Sequence, residues 1–192
     1  MNLSDKIKNI ILKPRETWPK LKDEQTTLGT LYIYAVILAA VPTAAKLIGI
    51  NLIGSPMMEI TYGSFSVSYF WSVVFSYILS LVGIKIISFI ADALAPRFDS
   101  QRNMLNATKA VIYSWIPYWI AGILYLIPYL SVVVILASFY SIYVFWIGLP
   151  VMMGTPKDRA TAYVIAVVVI STLVFFLMGA TAGLILAGTS LF

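Results

Sequence analysis

Apolar residues in this chain run in long unbroken blocks, not in the two-residue or 3.6-residue period of a half-buried strand or surface helix. The blocks span about 28–48, 68–91, 110–127, 130–149 and 160–187. They approach or exceed the ~20 apolar residues that cross a ~30 Å hydrocarbon core at 1.5 Å per residue. The pattern predicts an all-α, polytopic membrane protein: a five-transmembrane-helix bundle over residues 28–192, preceded by a segment of different character at 1–27. There Leu3, Ile7, Ile10 and Ile11 fall at helical spacing among Lys6, Lys8, Lys13 and Asp5, which predicts an amphipathic interfacial helix. Pro14 and Pro19 should break it into short pieces, with Trp18 and Leu21 as a second apolar edge. Lipid headgroups and the protein's own helices satisfy the isoleucine stripe equally well.

The stretches between blocks are polar or rich in turn formers. Residues 51–67 hold Gly54, Pro56 and Gly63 but no Lys or Arg, and read as a loop, either external or re-entrant. The stretch with Asp92, Arg97, Asp99, Arg102 and Lys109 is too charged for hydrocarbon and is expected to face water. Ile127-Pro128-Tyr129 joins two blocks as a tight hairpin, and Pro150 with Gly154 to Arg159 forms the last loop. Within the spans, Pro42 and Pro117 mark loosened helix turns and candidate packing points. Gly179 and Gly183 give a small-xxx-small face, which an internal helix contact or a homo-oligomer would satisfy.

Composition agrees with lipid as the main solvent: 60% of the 192 residues are hydrophobic and 11% charged. Eleven of the thirteen Lys and Arg residues lie in the N-terminal segment and in the stretches near 97–109 and 157–159, while the opposite loops and the tail have none. Basic residues are retained in the cytoplasm, so the N-terminus is assigned inside, the C-terminus outside and the span number odd. The first 22 residues carry no continuous apolar run of the signal-peptide kind, which leaves the first span to act as the signal. The net charge of +5 is explained by topology, and no nucleic-acid partner is expected. With no Cys and no His, the chain has no thiolate or imidazole ligand and no Ser/His or Cys/His pair. No phosphate-cradling glycine loop occurs either, so no cofactor and no enzymatic activity are expected.

An ionisable group at membrane depth is by default a functional-site candidate. Lys46 and Lys85 are the two inside predicted spans, although both stems are placed to snorkel towards an interface. Their candidate partners are Glu59 for Lys46 and Asp92 for Lys85, the latter seven residues on and nearly on the same helical face. Tyr113, Trp115, Tyr118, Trp119, Tyr125, Tyr140, Tyr143 and Trp146 make spans three and four aromatic, either as interface and core residues or as the wall of a cavity.

The order of several short motifs resembles the Yip1 family in its small bacterial inner-membrane form. They are Pro14-Arg15-Glu16-Thr17-Trp18, Ala39-Ala40-Val41-Pro42, Ile48-Gly49, Ile53-Gly54 and Tyr113-Ser114-Trp115-Ile116-Pro117. Tyr140, Tyr143, Gly148-Leu149, Gly154-Thr155-Pro156 and Ala160 follow. Together they cover most of the chain. The resemblance implies a five-helix membrane domain; eukaryotic relatives are linked to vesicle traffic and to Rab GTPases through a cytoplasmic N-terminal region. Here that region is about 27 residues long, which suits a bacterial inner-membrane protein.

Two functions follow as expectations. The first is a non-enzymatic membrane-organising, scaffolding or trafficking-like role, with membrane lipids, and a protein partner or a second copy, as partners. The second is a small transporter or channel for an ion, solute or lipid, with Lys46, Lys85 and the prolines along the path.

Overall fold

The computed structural model describes residues 2–53 and 67–189, with side-chain surroundings for 2–50 and 69–177. Every regular element in that range is a helix. Two short helices, α1 (Leu3–Leu12) and α2 (Pro14–Asp23), precede five long ones: α3 (Leu28–Ile53), α4 (Val67–Leu94), α5 (Met104–Ala121), α6 (Ser131–Met153) and α7 (Lys157–Thr189). Asn2 caps α1 by accepting from the Asp5 N–H, and α1 stops at Leu12 because Pro14 opens the next helix. Pro19, expected as a second break, lies inside α2 without ending it.

The outside of the bundle is apolar. Ile33, Ile37, Phe75, Phe89, Leu136, Leu173 and Phe176 all present more than half of their surface. In water such a surface would drive aggregation; in a bilayer it meets the solvent it matches. Among the described residues, four helices are long and apolar enough to cross a membrane, over Leu28–Ile50, Tyr69–Phe98, Pro128–Met153 and Lys157–Leu177. The chain is therefore an integral membrane protein of the polytopic all-α class.

The block expected as the third span behaves differently. Helix α5 begins at Met104, six residues before the expected start, and carries Asn106, Lys109 and Ser114. Every residue from Ala107 to Ser114 is buried, because α5 runs through the middle of the bundle and is lined by protein. It ends at Ala121, where 3-10 turns at Gly122–Leu126 and Pro128–Leu130 replace the expected tight hairpin. This segment packs along α3: Pro42 lies on Gly122, and a Cβ at Gly49 would meet the carbonyls of Tyr125 and Leu126. Pro117 removes an N–H from α5, and the following Tyr118 N–H donates to Ser141 Oγ of α6 at 3.1 Å.

The N-terminal helices pack one face against the bundle. Ile10, Trp18 and Leu21 are essentially inaccessible, and Trp18 sits on Gly148 of α6 with its ring edge against Tyr113. The isoleucine stripe is thus spent on the protein's own helices, leaving Lys8, Lys13, Arg15 and Lys20 exposed. At the same end, Gln101 N–H donates to the Met153 carbonyl and Ser100 Oγ meets Thr155 Oγ1 at 2.8 Å, tying the α4–α5 and α6–α7 connections together.

Candidate functional site

Two polar features stand out inside the fold. The first is a layer beneath the bundle, built where α1 and α2 meet α5. The last carbonyls of a helix have no partner within it, and here the bundle supplies donors. Lys109 Nζ, 2% exposed, donates to the carbonyls of Leu21 (2.8 Å), Lys22 (3.1 Å) and Glu24 (2.7 Å) at the end of α2. Tyr140 Oη donates to the Ile11 carbonyl at the end of α1 (2.7 Å). Lys6, 3% exposed, pairs with the Glu24 carboxylate at 2.9 Å, donates to Tyr113 Oη at 3.5 Å and lies 5.2 Å from the Tyr34 ring centre. Burial pulls the Lys6 ammonium down, but the Glu24 carboxylate, helped by the Tyr113 and Tyr34 hydroxyls, holds its pKa above the ordinary 10.5. Burial likewise raises Glu24, and the Lys6 ammonium, together with the N-terminal amine, overcomes that to hold it below 4.5.

The second feature is a cavity of about 660 Å³ inside the bundle, lined from all five long helices. Its walls are Ala39, Ile84, Trp115, Trp119, Phe145 and Val167 with other apolar residues, interrupted by hydroxyls. Most of these hydroxyls are committed. Thr43 donates to the Ala39 carbonyl, Ser76 to Ser72, Ser80 to Tyr77, Ser138 to Ile135 and Thr172 to Val168, and Ser141 accepts from Tyr118. Ser114 Oγ and Ser171 Oγ, on side chains 1% and 6% exposed, have no hydrogen-bond partner among the described residues. A buried hydroxyl left so is disfavoured by about 1–3 kcal/mol. Among the described residues, Lys46 is the one charged side chain on the lining, with its ammonium 4.6 Å from the Tyr125 ring centre.

The cavity ends blindly towards the N-terminal layer. One turn from the lining residues Ala39, Ile87, Ser114, Phe145 and Val168 stand Ala35, Ala91, Ala110, Leu149 and Val164, and all five are fully buried. Sideways it reaches the bundle surface, where Ser76, Leu79, Ser80 and Thr172 are exposed.

The residues singled out from the sequence separate on this frame. Lys46 and Pro42 line the cavity, and Pro117 is buried in α5 beside it. Lys85 is exposed on α4 and lines nothing. Its expected partner Asp92 instead accepts from Arg102 at 2.9 and 3.1 Å, because the 3-10 turn Ala95–Phe98 and the left-handed Asp99 bring Arg102 back over the end of α4. Glu59 lies outside the described residues, as does the 54–66 connection, so the Lys46–Glu59 pairing does too. Gly179 and Gly183 belong to α7 beyond the residues whose surroundings are described. Lys109, Ser114 and Ser171 were not readable as site residues. Lysine in a polar stretch reads as a loop charge, and serines within apolar helices follow no pattern.

No curated protein and no solved structure matches the chain at a significant level. The Yip1 domain model matches residues 8–178, which takes in the second half of α1, all of α2, the buried α5 and the cavity. On that match the chain belongs to the Yip1 domain family.

Proposed function

We propose that this Yip1-domain protein organises membrane by holding lipid, and that it neither catalyses a reaction nor conducts solute. The observation that carries this reading is the blind end of the cavity: five helices contribute a fully buried residue one turn below its lining. A conduit needs a polar path to both faces, whereas a laterally open, mostly apolar recess with one closed end suits an acyl chain from the surrounding bilayer. The distribution of basic residues supports a cell-membrane location, in a bacterium the inner membrane, with the N-terminal layer on the cytoplasmic side and the C-terminus outside. On that side exposed Lys8, Lys13, Arg15 and Lys20 would add roughly 1 kcal/mol each of attraction to anionic headgroups when well placed.

A second reading is an alternating-access transporter resting with its cavity open to one side; the Lys46 charge and the hydroxyl-lined wall favour it. Reconstitution separates the two. Vesicles containing the protein should leak entrapped protons, potassium and small fluorescent solutes no faster than protein-free vesicles, while labelled anionic lipid should concentrate around the protein. Protein-dependent flux of any of these would replace the first reading with the second.

A further inference from the structure

We propose that the cavity is a site for one anionic acyl-chain phospholipid, its chain between α4, α6 and α7 and its phosphate on Lys46. The assignment deepens the lipid-holding reading above and rests on it. Three independent features point to the same ligand. Ser114 and Ser171 are more than nine-tenths buried, line the cavity and lack a partner among the described residues. They are donors waiting for an oxygen, as an ester carbonyl would offer.

Among the described residues, Lys46 is the one cation on a lining that bears no carboxylate. Its aromatic neighbour Tyr125 stabilises an ammonium without neutralising it, which leaves the charge open to an anionic ligand. Lys46 also sits roughly 27 Å along α3 from Leu28, whereas Ser114 is only roughly 15 Å along α5 from Met104. Both helices start at the end that carries the N-terminal layer. The charge is therefore near one end of the cavity and the free hydroxyls deeper, the order of phosphate and ester in a phospholipid. The third feature is access: the exposed Ser76, Ser80 and Thr172 put the mouth on the bundle's lipid-facing side. The volume of about 660 Å³ is in the range of ~300–1,000 Å³ usual for sites of single small ligands.

The test counts lipids retained on the full-length, delipidated protein by native mass spectrometry during titration with phosphatidylglycerol or phosphatidylcholine. The wild type should hold one phosphatidylglycerol with at least about tenfold preference over phosphatidylcholine, the scale of one charge-assisted contact. Lys46→Gln should erase that preference and Ser171→Phe should lose both lipids. Lys8→Gln, Lys20→Gln and Lys157→Gln together should retain the preference. Should Ser171→Phe fail to fold, Ser114→Ala with Ser171→Ala takes its place: the empty variant should melt no lower than wild type, yet gain less from added phosphatidylglycerol.

A preference kept by Lys46→Gln but lost in the triple surface variant would mean adsorption to the basic face and overturn the site. Displacement of the lipid by inorganic phosphate at equal concentration would overturn the acyl-chain assignment in favour of a free-anion site. Solute flux in vesicles sinks the holding reading itself, whereas loss of Lys46 dependence without flux sinks only the lipid assignment.

Discussion

At Gly148 the helix gives up a side chain to a neighbouring ring. A Cβ there would fall inside the indole of Trp18, which is fully buried with its edge on Tyr113, ring centres 6.5 Å apart. Glycine in a helix interior is disfavoured by about 1 kcal/mol relative to alanine, and the seated ring is what offsets it. The sign of Gly148→Ala should accordingly depend on residue 18. With Trp18 present, overpacking should destabilise the protein by about 1–3 kcal/mol. In a Trp18→Ala background the same change should stabilise by up to about 1 kcal/mol, since only helix propensity remains. Thermal unfolding of the four proteins in detergent measures the cycle, and additive effects would mean that ring and glycine do not meet. Nothing in the spacing of Trp18 and Gly148 along the chain announced this contact. It joins residues 130 positions apart, and single-sequence patterns carry no such information.

Elements show where sequence reasoning succeeded and where physics hid the answer. The long apolar helices were legible because lipid solvent demands continuous apolar runs, and α3, α4, α6 and α7 announce themselves in that way. Helix α5 was legible only in part. Its outer half is apolar, but its first turns carry Asn106 and Lys109, whose polarity the protein interior absorbs. Lys109 does so by capping α2 with three carbonyl contacts, so a residue read as water-facing holds the N-terminal layer in place. The Lys85–Asp92 pairing failed for a related reason: periodicity along one helix cannot foresee a turn that returns Arg102 to the same carboxylate.

Lys109→Met is expected to leave the bundle folded while freeing α2. Hydrogen bonds to a charged donor contribute about 1.5–3 kcal/mol, so the undocked population should rise by on the order of tenfold or more. Trypsin cleavage after Lys20 and Lys22 reports that population when reclosing outpaces cutting. Unchanged cleavage rates in a folded variant would show that the cap does not hold the layer.

For the whole molecule, the layer and the cavity are coupled through α5 and α6. Tyr113, in contact with Lys6 and Trp18, is followed by the cavity residue Ser114, and Phe145 on the cavity wall lies one turn from the Gly148 seat. Docking of the N-terminal layer therefore braces the closed end of the cavity, and the Lys6–Glu24 pair makes that brace sensitive to pH. Glu24 is held below its ordinary 4.5, so its contribution is complete above about pH 4.5 and is lost as pH falls through the lowered value. Lys6 is held above 10.5, so its share is complete below about pH 10.5 and is lost only as pH rises through the raised value. The difference in unfolding midpoint between wild type and Glu24→Gln isolates the pair from the other carboxylates. That difference should favour the wild type at neutral pH and shrink below about pH 4.5. If the brace also shapes the cavity, retention of phosphatidylglycerol should weaken over the same acid interval in the wild type and be weaker already at neutral pH in Glu24→Gln. A midpoint difference that vanishes in acid while lipid retention stays constant would separate the two sites and leave the layer as an anchor alone.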